Sequence, residues 1–276
     1  MALVIPTNVA SLDAQKSLTR NSAALGRSFA RLSSGFRINT AADDAAGLAI
    51  SESMKAQIRS YTIAERNANE AISMTQTAEA ALGSMHDILG RMRELAIQSS
   101  NGSMTGTDRG YLDTEFTALK EEMSRIQGSS KFNGKQLVST GGEQIIFQVG
   151  LNNTASDQIT LTFGGLSLTQ LLAATTSVAG ATAGSALNSI GRIDAAIGII
   201  STERAKYGAA MNRLDVTVSS IQTMRVNLSA ANSRIRDVDV AEETSQLSRN
   251  QVLAQAGTSM LAQANQLPQM AMQLLQ

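Results

Sequence analysis

From Tyr61 to Ala96 the chain keeps a single rhythm. Ala64, Ala68, Ala71, Thr75, Ala78, Leu82, Met85, Leu89, Met92 and Ala96 recur at alternating intervals of three and four residues, the seam of a coiled coil. Such a run predicts a long helix packed lengthwise against others. Small residues fill the first half of the seam and let a neighbouring helix approach closely, while Leu and Met in the second half supply most of the apolar burial. The helix is expected to start near Asp43 and end near Asn101. Thr40 followed three residues later by Asp43 resembles a capping box, and the Asp43-Asp44 pair suits the positive end of the helix dipole.

The same period returns twice. Leu112, Phe116, Leu119, Met123 and Ile126 predict a shorter second helix that folds back on the first. In the C-terminal half the run is Ile190, Ile193, Ile197, Ile200, Arg204, Tyr207, Met211, Leu214, Val218, Ile221, Arg225 and Leu228. Its two arginines stand where apolar residues belong, which suits register control, an interface edge or snorkelling heads. The core of this helical region is assigned to Leu82, Met85, Leu89, Met92, Leu112, Phe116, Leu119, Met211, Leu214 and Val218.

Proline occurs only at Pro6 and Pro268, so boundaries come from glycine clusters at Asn101–Gly110, Gly128–Gly142 and Ala173–Gly184. Between the last two the period changes to two. Ile145, Phe147 and Val149 alternate, Asn152-Asn153 supplies turn chemistry, and Ile159, Leu161 and Phe163 alternate again, predicting a β-hairpin. A lone hairpin is marginal in water, so it is expected to pack on the helices. Residues 165–184, mostly small or polar and without a period, are read as a short surface loop.

The two ends carry a matching signal. Leu18, Leu25 and Leu32 stand seven apart, with Phe29 between the last two; Leu253, Met260, Leu267 and Leu274 also stand seven apart, with Gly257, Ala264 and Ala271 interleaved. These stretches are expected to zip together, bringing the N- and C-termini side by side. The fold class is therefore mainly α: a long antiparallel coiled-coil or helical bundle with a small β-hairpin and paired terminal helices.

Composition narrows the functions. Cysteine is absent and His86 is the sole histidine, which removes thiolate metal sites, thiol nucleophiles and multi-histidine centres. Ser84 and Asp87 lie beside His86 in sequence, but helix neighbours one or two apart do not face each other, so no triad forms and His86 is read as a solvated surface residue. No catalytic, cofactor-binding or metal residue is assigned. Lys plus Arg (23) balances Asp plus Glu (23), so no charge excess points to nucleic acid. The first residues lack a basic start and a long apolar run, and no window approaches a membrane span.

Particular stretches then become familiar. Residues 5 to 101, from Ile5-Pro6-Thr7-Asn8-Val9-Ala10 through Leu32-Ser33-Ser34-Gly35-Phe36-Arg37-Ile38-Asn39-Thr40-Ala41-Ala42-Asp43-Asp44-Ala45-Ala46-Gly47-Leu48-Ala49-Ile50, strongly resemble bacterial flagellin. So do Arg225-Val226-Asn227-Leu228, Ser233-Arg234-Ile235-Arg236-Asp237-Val238-Asp239 and Ala262-Gln263-Ala264-Asn265-Gln266-Leu267-Pro268-Gln269, and Lys131-Phe132-Asn133-Gly134-Lys135 resembles the family's turn after the second helix.

The resemblance implies a subunit that polymerises into the bacterial flagellar filament for swimming, with residues 1–42 and 236–276 lining an inner tube. Residues 43–164 and 185–235 would form an outer tube, and 165–184 a short variable loop facing outward. Inner-tube assembly would fall to Leu18, Leu25, Phe29, Leu32, Leu253, Met260, Leu267 and Leu274. It further implies flagellar type III export without a cleaved signal, an export chaperone at the C-terminal helix, and cap and hook-junction proteins as neighbours. An innate-immune receptor surface would match Arg91, Leu95 and Glu115, against the simpler reading of Arg91 and Glu115 as an ion pair. The protease insertion of some family members, built on two histidines and a glutamate, cannot be built with His86 alone. The rival readings are a hook–filament junction protein and another helical coiled-coil scaffold.

Overall fold

The computed structural model describes residues 7–173, 176–180 and 183–273. Six helices dominate: α1 (Val9–Ser34), α2 (Ala45–Ser100), α3 (Gly106–Ser129), α4 (Thr169–Leu172), α5 (Gly184–Arg236) and α6 (Val240–Gln273). Two antiparallel hairpins interrupt them, β1 (Lys131–Phe132) with β2 (Lys135–Gln136) and β3 (Glu143–Gln148) with β4 (Gln158–Phe163). The chain divides into two compact units, residues 1–58 with 226–276 and residues 59–225. The sequence-based divisions at 42/43 and 235/236 lie at helix ends, whereas the compact units part within α2 and α5.

Helix α2 begins two residues later than Thr40 and Asp43 suggest. Those two residues close a turn ahead of the helix, where Asp43 accepts from the Thr40 amide and hydroxyl, both at 3.0 Å. The Thr40 amide, its hydroxyl and, further, the Asn39 amide and the Arg31 guanidinium hold the Asp43 carboxyl below its ordinary range. The cap itself is Asp44, whose carboxylate accepts from the Gly47 amide at 2.8 Å. A true capping box opens α3 instead: Thr105 and Asp108 bond reciprocally across the first turn.

In the unit of residues 59–225 the α2 seam is shut away from water. Ala64, Ala68, Ala71, Ala78, Leu82, Met85, Leu89, Met92 and Ala96 are all 3% exposed or less. Facing them are Phe116 and Met123 from α3 and Ile193, Ile200, Tyr207, Leu214 and Ile221 from α5, all buried. Leu112, Leu119, Met211 and Val218 sit half-buried at the rim. The two arginines of the α5 pattern reach carboxylates on α2: Arg204 meets Glu79 at 2.7 Å and Arg225 meets Glu65 at 2.5 Å. Their stems run along the packed surface while the heads pair at its edge. His86, three residues before Leu89, is half-buried rather than solvated, and its Nδ1 is shielded from water without a hydrogen-bond partner among the described residues.

The hairpins follow from local chemistry. Asn133 (φ 47°) and Gly134 (φ 80°) form the two-residue turn between β1 and β2, for which Asn-Gly is the favoured pair because both positions need positive φ. In the larger hairpin Ile145 pairs with Leu161 and Phe147 with Ile159. Its connection is tightened by the Val149 and Gly150 amides, which both donate to the Asp157 carbonyl. A Cβ at Gly150 would fall 1.8 Å from Asp157 Oδ1, so no side chain fits. Ile159 and Phe163 are buried, and the Phe163 ring stacks on Tyr207 with centroids 5.6 Å apart.

Where it is described, the stretch read as a surface loop is buried instead. Leu166, Leu168, Leu171 and Val178 are 2% exposed or less, so residues 166–173 and 176–180 are part of the core wall. Side chains distant in sequence hold them there. Asp113 Oδ1 accepts from the Val178 and Ala179 amides and from Ser177 Oγ. The buried Arg109 donates to the carbonyls of Ser99, Asn101 and Gly180. Lys120 Nζ donates to the Ala173 and Thr176 carbonyls. Polar anchoring of this kind satisfies the backbone of a segment that has no ladder of its own.

Candidate assembly surface

The unit of residues 1–58 and 226–276 is built on α1 and α6, which run antiparallel. On α1 Ser11, Ala14, Leu18, Asn21, Leu25, Ser28 and Leu32 are withdrawn from water, with Ala24, Arg31 and Ser34 beside them; on α6 the set is Glu243, Leu247, Asn250, Ala254, Gly257, Leu261 and Ala264, and the two named sets are the ones that face each other in register. Both sets alternate by three and four, so a coiled-coil seam is present. Its composition is unusual: Ser28, Glu243 and Ala264 are the residues of the two helices that reach full burial among those described.

Small side chains bring the helices close. An added Cβ at Gly257 would stand 3.4 Å from Leu18 Cδ1. Polar rungs fix the register. Asn8 Nδ2 donates to the Ala264 carbonyl and Asn21 Nδ2 to the Asn250 carbonyl, each at 2.8 Å, and Ser11 Oγ donates to Asn265 Oδ1 at 2.8 Å. Arg31 lies 3.7 Å from both Glu243 and Asp43. Polar groups at seam positions specify one alignment at some cost in stability.

The link between the chain's two halves is also here. The Arg37 amide donates to the Arg236 carbonyl at 2.7 Å and the Val238 amide to the Gly35 carbonyl at 3.0 Å. The Arg236 guanidinium lies 4.6 Å over the Phe36 ring, and Ile38 is buried beneath. Gly35 (φ 74°) closes α1 in the left-handed conformation that admits glycine most readily.

The leucine heptads form the seam on α1 only. Leu18, Leu25 and Leu32 are half-buried, but Leu253 is 53% exposed, Met260 62% and Phe29 50%. Each stands one position off the α1–α6 seam, which the interleaved Ala254, Gly257, Leu261 and Ala264 supply instead. Leu274 and the side chain of Leu267 lie outside the described residues, as do Ile5 and Pro6. Val9, Leu12 and Val252 are also exposed, so the pair keeps several large apolar side chains that no described residue covers.

The three residues matched to an immune receptor divide. Arg91 Nε meets Glu115 Oε1 at 2.8 Å across α2 and α3, and Arg91 also pairs with Glu94 at 3.0 Å. Both partners of the interhelical pair are exposed. Leu95 is 1% exposed and belongs to the core cluster, because it follows Met92 by one helical turn on the inward face. It is therefore not a surface contact. Among the described residues no group of three or more acidic or histidine side chains gathers to hold a metal, and no helix is long and apolar enough to cross a membrane.

Comparison with known proteins gives this arrangement a family. The bacterial flagellin N-terminal helical region matches residues 5–141 and the bacterial flagellin C-terminal helical region matches residues 190–275. The flagellin of Halalkalibacterium halodurans is 42% identical over 273 residues, spanning 99% of this chain and 100% of that protein. The flagellin of Bacillus subtilis is 38% identical over 304 residues, spanning 97% and 98%. A solved Bacillus cereus flagellin is 35% identical and covers 60% of this chain and 94% of its own, with a TM-score of 0.49. With both helical regions matched and relatives aligned from end to end, the chain belongs to the bacterial flagellin family.

Proposed function

We propose that this protein is the structural subunit of a bacterial flagellar filament and has no catalytic task. The observation that carries the reading is the exposure of Leu253 and Met260 on one face of α6, and of Phe29 on α1, beside an α1–α6 seam that is itself poor in bulk. Roughly 25 cal/mol is gained per Å² of apolar surface removed from water, so copies that cover each other's exposed side chains supply what one copy lacks. In this arrangement the terminal pair lines the inner tube and the bundle of residues 59–225 forms the outer tube. Whole-length likeness to flagellins supports the filament subunit over a hook–filament junction protein or a generic coiled-coil scaffold.

The surrounding roles follow from the same reading. The subunit leaves the cell through the flagellar type III channel without cleavage, α6 carries the export chaperone beforehand, and cap and hook-junction proteins meet the filament ends. Its site of action is the extracellular filament. Arg91 and Glu115 form the part of an innate-immune receptor surface that the folded chain presents, with Leu95 acting from inside as packing. Receptor activation by Arg91→Ala monomer is expected to fall at least fivefold; an unchanged response would remove that surface.

Seeded polymerisation tests the central claim. Leu253→Asn with Met260→Asn is expected to leave the helical content of the subunit within a tenth of the parent while sedimentable filament on seeds drops by at least a hundredfold. Filaments of normal yield from this double variant would overturn the assignment of this face to assembly.

A further inference from the structure

The chain has no cysteine, so its thioethers are its most readily oxidised side chains, and its described methionines differ in exposure, with Met54, Met104 and Met211 half-buried. Met74, Met85, Met92 and Met123 are core residues at 3% exposure or less. Met224 is exposed, but its sulfur accepts a hydrogen bond from the Tyr61 hydroxyl at 3.2 Å. Met260 differs from all of these. It is 62% exposed and its sulfur has no hydrogen-bond partner among the described residues. It also lies seven residues after Leu253 on the same face of α6.

We propose that Met260 is a redox-modification site whose oxidation by a peroxide blocks addition of the subunit to the filament, and whose burial in the finished filament protects it. The inference rests on the assembly reading above. The thioether sulfur attacks one peroxide oxygen, the O–O bond breaks, that oxygen stays on sulfur as S=O, and the other leaves as water. Sulfur loses two electrons and the peroxide gains them.

The consequence is a change of surface chemistry at one point. A flexible apolar side chain becomes a polar one whose new oxygen needs a hydrogen-bond donor. Buried against another copy's apolar surface it would find none, and an unsatisfied acceptor opposes burial. Gly257 and Ala264, on the adjoining seam, leave the α1–α6 contact itself untouched by the added oxygen. The folded subunit therefore survives the modification and only its addition to the polymer is stopped.

The test treats whole subunits with hydrogen peroxide, maps the gained oxygen by peptide mass, and follows growth on seeds by sedimentation. Met260 is expected to oxidise at least tenfold faster than Met85 or Met92 in the subunit, and at least tenfold more slowly in preformed filaments. Measured against its own untreated growth, the treated parent is expected to fall at least tenfold and treated Met260→Leu less than twofold, whatever the basal rate of that variant, and untreated Met260→Gln is expected to grow slowly without any oxidant. Equal losses in treated parent and Met260→Leu, or equal Met260 oxidation in subunit and filament, would overturn the proposal. Treated parent that grows as well as untreated parent sinks the Met260 inference alone. Untreated parent and Met260→Leu that both fail on seeds sink the assembly reading, and this inference with it.

Discussion

The bundle of residues 59–225 and the α1–α6 pair use the same three-four spacing to opposite ends. In the bundle the spaced positions are Leu82, Met85, Leu89 and Met92, all at 0% exposure, and the wall opposite is Phe116, Ile193, Ile200 and Tyr207. In the terminal pair the spaced positions include Ser11, Asn21, Ser28, Glu243 and Asn250, while the bulky Phe29, Leu253 and Met260 look outward. One region completes its core within a single chain. The other is a half-finished surface, and the difference teaches that a heptad pattern reports where apolar side chains recur, not which neighbour they meet.

Four changes would break or sharpen this contrast. The largest effect is expected on removing residues 253–276. Filament yield should fall by at least a hundredfold, while the melting transition of the bundle shifts by less than 2 °C in calorimetry; a collapse of both transitions together would show that the regions are not separable. Next comes Leu82→Ala, which opens a cavity in the closed core and should cost the bundle about 3–5 kcal/mol in denaturant unfolding, with the helicity of the terminal pair unaffected.

Third is Asp113→Ala. It strands the Val178 amide and the Ser177 hydroxyl and leaves the Ala179 amide only Ser177 Oγ, and about 2 kcal/mol of bundle stability is expected to go. Protease cutting within residues 165–184 should rise in parallel, and unchanged cutting would contradict the anchoring.

The fourth is a pH effect. Burial pushes the Tyr207 phenol up to about 12 from 10.0. The unfolded chain ionises that group first, so the stability tied to the neutral phenol is whole below pH 10 and drains away between 10 and 12. Parent and Tyr207→Phe should unfold alike at pH 8, and the parent should lose on the order of 2 kcal/mol relative to the variant by pH 12. Parallel pH profiles for the two would remove this cause.

Much of the bundle was legible because its seam is written in residues that hydrophobic spacing detects. Every α2 position from Ala64 to Ala96 that kept the rhythm faces inward, and alternation at Ile145–Val149 and Ile159–Phe163 gave the hairpin its pairing. On α1 the terminal seam was legible in Leu18, Leu25 and Leu32, but on α6 it runs through Asn250, Ala254 and Gly257, which carry little hydrophobicity and stand beside the bulkier Leu253 and Met260. Residues 165–184 escaped for a different reason. Ala173 and residues 176–180 are held by Arg109, Asp113 and Lys120, each more than fifty residues before the group it holds, and no local pattern announces such tethers. Asn133-Gly134 was a signal of the missed β1–β2 hairpin, since that pair between Lys131-Phe132 and Lys135-Gln136 demands a two-residue turn. Leu95 illustrates the reverse error, in which a family motif places on the surface a residue that the helix turns inward.

The gap at Gly257 reaches beyond one molecule. A methyl group there would meet Leu18 Cδ1 at 3.4 Å, an ordinary contact distance, so alanine fits while a bulkier side chain must push α1 from α6. In a free monomer such a push is a small disturbance, relieved by a rotamer change. In a polymer of equivalent copies the same push is repeated at every step, and increments too slight to unfold anything add up to a different pitch, bore or curl. The hydrogen atom that stands in for a side chain at this position thus acts as a gauge for the geometry of the entire propeller.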